Sequence, residues 1–369
     1  AEEVDSDSLI FFRIPLFSGK HQLFLPLFAK LLPFRSNSLT KAKNISITRA
    51  YMDNDFLGDA QILQLSEKIH QAVLDHFHLV EQPYQGGPDF RFLYTTDQVK
   101  EAILKSIILT TQRVNPVYMY GSYGIGKSTI IQRLYALLLQ EPRFDAKFII
   151  LHSKVTANSL LRDILELFDI KTERSYDQSL KSFQQFLIGE LPPEKSTKRV
   201  SKNESNKQEE VDNQTMPAEK IPLLLIDEAQ YMDKEALRLL HSLLNYESSR
   251  VKRIQIIIAG QEKLAENILK LGELASRMKA IQMYNMTPEE LQKMLFFRWE
   301  VAGGKDEDFP FAKEDPEIFR VLHDYTSGLP RDAIKVADDV LRFLLSHGKK
   351  KISASELEAI ANENNLHKK

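Results

Sequence analysis

The chain has 369 residues, of which 43% are hydrophobic and 27% charged, a balance typical of a globular rather than a disordered protein. Its formal net charge is −2, so binding to nucleic acid would need a local basic patch and not an overall positive field. The sequence contains no cysteine, which excludes disulfides, thiolate metal sites and cysteine nucleophiles and fits a reducing, cytoplasmic compartment.

The first 58 residues are predicted to form a separate N-terminal arm. Aromatic and aliphatic clusters alternate there with prolines and basic residues, without a clean helical or strand period. Such an arm either packs on its own domain or docks a partner. Its most apolar part, residues 10–34, is broken by charged residues and by Pro15, Pro26 and Pro33, so we predict no membrane-spanning helix.

Five short apolar runs, separated by helical patterns, predict a parallel β-sheet. They follow an amphipathic helix over Asp59–Phe77 and a turn-rich connection over Pro83–Asp89, and they are Pro116–Tyr120, Lys147–Leu151, Pro222–Ile226, Ile254–Ala259 and Ala280–Tyr284. Continuous apolarity indicates strands that are buried on both faces, as in a parallel sheet covered by helices. We therefore predict an α/β domain over residues 59–286 with a five-stranded parallel sheet.

One region interrupts this predicted domain and another follows it. Residues 190–220 are rich in Lys, Glu, Ser, Asn and Gln and bury too little apolar surface to offset the entropy of ordering, so we predict a disordered insertion. At Thr287 a cap, a first-turn proline and two glutamates begin a stretch with helical patterns throughout, predicted as an all-helical lid over residues 287–369. Trp299 lies among apolar residues there and is expected in the lid core, not as a platform for a base.

A glycine-rich loop between the first strand and the next helix matches the P-loop pattern. It comprises Gly121, Ser122, Tyr123, Gly124, Ile125, Gly126, Lys127 and Ser128, and Thr129 is a neighbour whose role is open. Glycines let backbone N–H groups converge on phosphate oxygens, and the N-terminus of the following helix favours the same anion. In this pattern Lys127 reaches the β- and γ-phosphates and Ser128 coordinates Mg²⁺. The loop therefore predicts ATP and Mg²⁺ as cofactors.

A second chemical element is the apolar run over residues 223–226 that ends in Asp227 and Glu228. The carboxyl ends of parallel strands meet at one edge of a sheet, so these carboxylates are expected beside the P-loop. Asp227 would hold the Mg²⁺ shell, and Glu228 would polarise the attacking water. This pair predicts ATP hydrolysis in addition to nucleotide binding.

Four motifs resemble those of AAA+ ATPases, within the branch of the ExeA-type secretion ATPases and the TnsC- and MuB-like transposition ATPases. The motifs are the segment over residues 77–94, the run Leu225–Gln230, the run Ile258–Leu264 and the run Ser327–Arg331. The resemblance covers residues from about 77 to 365. It implies an AAA+ P-loop domain with an adenine-bordering segment before the first strand and a C-terminal helical lid.

The resemblance also implies further catalytic residues. Arg331 would contact the nucleotide from the lid, and Gln261 would be the first sensor, where Asn, Ser or Thr is more usual. Arg277, just before the fifth strand, would be an arginine finger that reaches a neighbour's ATP. Lys279 and Arg298 are competing candidates for that role.

The loop after the second strand resembles the segment with which TnsC-like assemblies track the DNA backbone. It would contact DNA through Lys154, Thr156 and Asn158, with Lys171 and Thr172 following on the same side. Lys, Thr and Asn at such a face suit sequence-independent phosphate contacts. The alternative is a solvated loop without a ligand.

Taken together, the resemblance implies a Mg²⁺-dependent ATPase that assembles into a ring or a helical oligomer. In its TnsC-like form it would bind double-stranded DNA without sequence preference, regulate transposition and link a target-selection factor to a transposase. Two alternatives are an ExeA-like secretion-assembly ATPase and a signalling or scaffold NTPase that does not bind DNA. A gel shift with random duplex, with and without ATP, separates these hypotheses.

Overall fold

The computed structural model describes residues 59–87, 89–189, 220–248, 251–364 and 366. The predicted arm over residues 1–58 and the predicted insertion as far as residue 219 lie outside this described part. Within the described ranges, no helix is both long enough and apolar enough to cross a bilayer.

Helices and strands follow one another along the described chain in an α/β order. The helices are α1 (Asp59–Phe77), α2 (Asp97–Thr111), α3 (Lys127–Leu139), α4 (Ala157–Leu167), α5 (Tyr176–Leu187), α6 (Lys234–Leu244), α7 (Glu262–Leu269), α8 (Gly272–Arg277), α9 (Pro288–Val301), α10 (Pro316–Thr326), α11 (Pro330–His347) and α12 (Ala354–Glu363). The strands are β1 (Val117–Tyr120), β2 (Phe144–Ile150), β3 (Ile221–Asp227), β4 (Glu247–Ser248), β5 (Val251–Lys252), β6 (Gln255–Gly260) and β7 (Lys279–Gln282). Short 3₁₀ turns cover Phe90–Phe92, Ala229–Tyr231 and Asp306–Asp308.

Five strands form one parallel sheet in the order β2-β3-β6-β1-β7, which confirms the predicted sheet. Strand β2 begins at Phe144, three residues before the predicted start. As an edge strand it alternates buried and half-buried residues at its start, so no continuous apolar run marks that start. The antiparallel pair β4–β5 was not predicted, because two-residue strands show no period.

The two faces of the sheet are covered by different helices. Leu224 and Ile226 of β3 point into a core shared with α4, α5, α6 and α7, whereas Leu223 and Leu225 point into a core shared with α2 and α3. Successive side chains of a strand alternate between faces, so both sets are buried only when both faces are covered. This explains the continuous apolar run in the sequence.

The C-terminal helices α9 to α12 share a third core with α1. Phe77 of α1 packs edge-on against Trp299 at 5.7 Å between ring centroids, and both side chains are fully buried. The indole Nε1 of Trp299 donates to the carbonyl oxygen of Lys305 at 2.8 Å, so Trp299 is a core residue as expected. Although α1 precedes the sheet in sequence, its apolar face belongs to the helical C-terminal region.

Candidate nucleotide site

A cleft of about 800 Å³ lies at the carboxyl ends of the strands. Its floor is the P-loop after β1, and its walls include Glu228 after β3 and Gln261 after β6. Residues from the ranges 82–87 and 89–94 and the start of α11 line the other sides, so the described part of the segment predicted to border the adenine lines the cleft. The position of the cleft at this edge of the sheet and its volume are both typical of small-molecule sites in open α/β sheets.

The P-loop backbone is shaped for an anion. Gly124 and Gly126 have φ angles of 83° and 103°, in the left-handed region that favours glycine. Helix α3 begins directly after Gly126, and this N-cap glycine has no side chain to accept a hydrogen bond from the first turn. The backbone N–H groups of that turn are therefore available to phosphate oxygens.

Lys127 lies buried at the base of the cleft, with 8% of its surface exposed. Its Nζ donates to the carbonyl oxygens of Gly121 and Ser122, each at 2.8 Å. Burial lowers the pKa of Lys127, although nearby carboxylates oppose this shift. A buried ammonium that contacts neutral carbonyls gains stabilisation when an anion arrives, which suits the predicted phosphate contact.

Ser128 and Asp227 meet at the same place, as required of a shared metal site. The Ser128 hydroxyl hydrogen-bonds to the Asp227 carboxylate, and the Glu228 backbone N–H donates to Asp227 Oδ1 at 2.8 Å. Asp227 is only 2% exposed, and this burial raises the pKa of its carboxyl group. A buried carboxylate beside a hydroxyl is a hard-oxygen donor set that fits Mg²⁺.

Glu228 follows Asp227 with φ of 56°, a left-handed conformation that is uncommon outside glycine and concentrates at functional sites. Its side chain lines the cleft, and its Oε2 accepts a hydrogen bond from Nε2 of Gln230. Gln230 is buried, and its Oε1 accepts the backbone N–H of Gln261 at 3.1 Å. In the sequence, Gln230 is only the last residue of the run Leu225–Gln230, and no local pattern predicts a role for it.

Arg331 lies at the start of α11 and brings the lid onto the P-loop. Its guanidinium carbon is 4.4 Å from the ring centroid of Tyr123, and its backbone N–H donates to Gly124 at 3.3 Å. A Cβ atom on Gly124 would lie 3.2 Å from the Arg331 Cβ, so the close approach favours glycine. The predicted lid residue therefore lies in the cleft, next to the P-loop.

The arginine-finger candidates occupy different places. Lys279 pairs with Val117 at the amino end of β1, so Arg277, two residues earlier, lies at the opposite edge of the sheet from the P-loop. Arg277 is therefore at the far edge of the sheet from its own nucleotide cleft and does not line that cleft. Arg298 is buried and donates to the carbonyl oxygens of Pro83, Gln85 and Phe92. Because these contacts occupy its guanidinium inside its own chain, Arg298 is not an arginine finger that reaches a neighbouring subunit.

A second, smaller groove, which we call the lysine groove, has a volume of about 420 Å³. Four lysines from three segments line it, namely Lys154, Lys234, Lys263 and Lys270. Asp233 is the one carboxylate among its described lining residues, and its Oδ1 caps α6 by accepting from the Ala236 N–H.

The lysine groove includes one of the five residues predicted to contact DNA. Lys154 lines it, whereas Thr156, Asn158, Lys171 and Thr172 are exposed but lie outside its described lining. Thr156 caps α4, with its hydroxyl accepting from the Ser159 N–H at 3.3 Å. The sequence did not point to the other three lysines, one on α6, one on α7 and one directly after α7, because no local motif links them to Lys154.

Comparisons with known proteins agree with this architecture. Residues 110–268 match the family model described as "AAA domain". The General secretion pathway protein A of Aeromonas hydrophila is 25% identical over 292 residues, which cover 78% of this chain and 47% of that protein. The chain thus spans about half the length of this curated relative.

The crystal structure of Cdc6p from Pyrobaculum aerophilum is similar in fold, with a TM-score of 0.54 and 15% identity. The likeness covers 78% of this chain and 72% of that one. With the P-loop at the end of β1 and paired carboxylates at the end of β3, residues 110–268 are similar to AAA domains, and the described chain adopts an α/β P-loop fold with a helical C-terminal region.

Proposed function

We propose that this chain binds ATP with Mg²⁺, hydrolyses the ATP and uses the cycle to control its own assembly. The observation that carries this proposal is that four chemical groups converge at one cleft. The P-loop supplies a buried lysine and a hydroxyl, a buried carboxylate hydrogen-bonds to that hydroxyl, and a second carboxylate lines the cleft. These are the positions that phosphoryl transfer to water requires.

Each residue has a distinct role in the proposed reaction. The P-loop N–H groups and Lys127 bind the phosphates, while Ser128 and Asp227 hold the metal. Bound ATP and Mg²⁺ supply the transferable phosphoryl group and the charge that neutralises its oxygens. Glu228 orients the attacking water and accepts its proton, and Gln261 and Arg331 line the cleft on either side of this point.

Within this proposal, Arg277 acts on the ATP of a neighbouring subunit. It lies at the opposite edge of the sheet from its own P-loop, so a head-to-tail contact between copies could bring it to the next cleft. Such a contact repeats as a ring or a helix. ATP bound between subunits would favour assembly, and hydrolysis would release it.

A mixing experiment tests hydrolysis and assembly together. We expect Arg277→Ala and Glu228→Gln to lose at least about 100-fold in turnover when each is assayed alone. An equimolar mixture should recover about a quarter of the wild-type rate, since random neighbours pair an intact Glu228 with an intact Arg277 in one site out of four.

The matched control for this experiment is Arg162→Ala, which removes an exposed arginine of α4 and should leave turnover unchanged. ATPase assays with size-exclusion chromatography provide both readouts. A mixture as inactive as its components would contradict action in trans.

For the cellular role, a secretion-assembly ATPase is the first candidate. The relative from Aeromonas hydrophila is named as a general secretion pathway protein, and its similarity spans most of this chain. This similarity supports the hypothesis of an ExeA-like secretion-assembly ATPase better than the hypothesis of a transposition regulator. The ATPase would accordingly serve the assembly of a secretion machine.

A DNA-binding regulator of transposition, which would join a target-selection factor to a transposase, is the second candidate, and the lysine groove favours it. Its four lysines face one described carboxylate, so the groove carries a local positive charge on a chain whose net charge is −2. Such a groove attracts a phosphate backbone without reading its sequence. Tyr231, which is 40% exposed, adds a hydrogen-bonding side chain at its edge.

Charge reversal in the lysine groove separates the two candidates. If DNA binds there, Lys154→Glu with Lys263→Glu should weaken ATP-dependent binding of a random duplex at least about tenfold and reduce its dependence on salt. Lys181→Glu, on the exposed part of α5, is the matched control and should bind as the wild type does. Absence of duplex binding at low salt, with ATP turnover intact, would contradict the DNA-binding candidate and favour the secretion candidate.

A further inference from the structure

Gln230 lies between the proposed general base and the central strand of the sheet. Its side-chain Nε2 donates to Oε2 of Glu228, and its Oε1 accepts the backbone N–H of Gln261 at 3.1 Å. Only 9% of its surface is exposed. Both ends of the carboxamide are therefore used inside the protein, one of them on a side chain that lines the nucleotide cleft.

The orientation of this carboxamide follows from its two neighbours. A carboxylate oxygen accepts hydrogen bonds and a backbone N–H donates one, so the NH₂ group must face Glu228 and the oxygen must face Gln261. The flipped amide would place its oxygen against the carboxylate and its NH₂ group against another donor. Gln230 consequently has one favourable arrangement.

The backbone N–H of Gln261, which holds the Gln230 oxygen, belongs to a rigid part of the fold. Gln261 follows β6, which lies between β3 and β1 and is buried along its whole length. Space around the anchor is also limited, since a Cβ atom on Gly260 would lie 2.9 Å from Gln230 Oε1. A glycine at the end of β6 thus allows the carboxamide to sit against the strand.

We propose that Gln230 is a positioning residue that holds the Glu228 carboxylate in place for attack by water. This inference rests on the proposed ATPase function and adds a residue to it. By engaging Oε2, Gln230 directs Oε1 of Glu228 towards the cleft and restricts the rotamers of a side chain with three flexible torsions. It also links the base to the end of β6, next to the cleft residue Gln261.

Two substitutions test the role of the carboxamide. Gln230→Met keeps the length of the side chain but removes both hydrogen bonds, and Gln230→Glu keeps the acceptor for the Gln261 N–H while it removes the donor to Glu228. We expect both to lower kcat by about ten- to a hundredfold, because the base loses its alignment. The affinity for ATP, measured by equilibrium binding of a fluorescent ATP analogue, should stay within about twofold of wild type, because Gln230 holds Glu228 and not the phosphates.

A double mutant distinguishes positioning from a general structural effect. In the Glu228→Gln background, Gln230→Met should cause no further loss of kcat, since the group that it positions is already gone. An equal further loss in that background, or an unchanged kcat in the Gln230 single variants, would overturn the inference. If Glu228→Gln alone leaves turnover unchanged, the proposed ATPase mechanism fails instead, so the two failures are distinguishable. Thermal unfolding of each variant shows whether the fold is retained.

Discussion

Replacing Glu228 by Gln is expected to slow ATP turnover by about 10²–10⁴-fold while ATP still binds. The amide keeps the size of the side chain and one acceptor oxygen, but it cannot accept a proton from water at neutral pH. The P-loop lies between the end of β1 and the first turn of α3, not on β3, so the substitution leaves its backbone and Lys127 intact. Steady-state phosphate release and equilibrium nucleotide binding measure the two quantities separately.

The ATP-bound oligomer should also persist longer in this variant, because release depends on hydrolysis. Time-resolved light scattering after ATP addition would follow assembly and disassembly. Glu166→Gln is a suitable control, since this exposed carboxylate lies on α4 and does not line the cleft. Wild-type turnover in Glu228→Gln would remove Glu228 from the mechanism.

Replacing Lys127 by Ala is expected to lose both ATP binding and turnover, with kcat reduced by about 10²–10³-fold at saturating ATP. The substitution removes the ammonium that lies at the floor of the cleft and leaves the carbonyl oxygens of Gly121 and Ser122 without this donor. Its effect differs in kind from that of Glu228→Gln, because affinity falls together with rate.

Lys127→Arg tests whether charge alone suffices. The guanidinium is planar and larger than the ammonium, and the site is buried, so we expect it to restore little activity. Isothermal titration with ATP and Mg²⁺ measures the affinity, and Lys105→Ala on α2 provides an exposed-lysine control. ATP affinity equal to wild type in Lys127→Ala would contradict the phosphate-binding role.

The local pattern of the sequence was sufficient to predict the P-loop and the five-stranded sheet. The run from Gly121 to Ser128 specifies a backbone conformation, and that conformation creates the anion site wherever a strand precedes it and a helix follows. Likewise, the run before Asp227 is apolar at consecutive positions because both faces of β3 are covered. In both cases short-range chemistry and burial determine the structure.

Contacts between distant segments were decided by the tertiary structure alone. In the sequence, Arg298 is a candidate arginine finger. In the folded chain its guanidinium instead donates to the carbonyl oxygens of Pro83, Gln85 and Phe92. Lys234, Lys263 and Lys270 join Lys154 only because the segments that follow β2, β3 and β6 lie next to one another in the folded chain. Partners that are far apart along the chain leave no periodic signal in the sequence, since they depend on how helices and strands pack.

The sequence by itself therefore predicted the P-loop, its sheet and the meeting of Lys127, Ser128, Asp227 and Glu228 at one edge of that sheet. Only the tertiary structure decided that Gln230 holds Glu228, that Arg331 rests on Tyr123, and that α1 packs with the C-terminal helices. The physical reason is the range of the interactions: propensity, burial period and loop geometry act over a few residues. The contacts that position a base or close a lid depend instead on the packing of whole helices and strands.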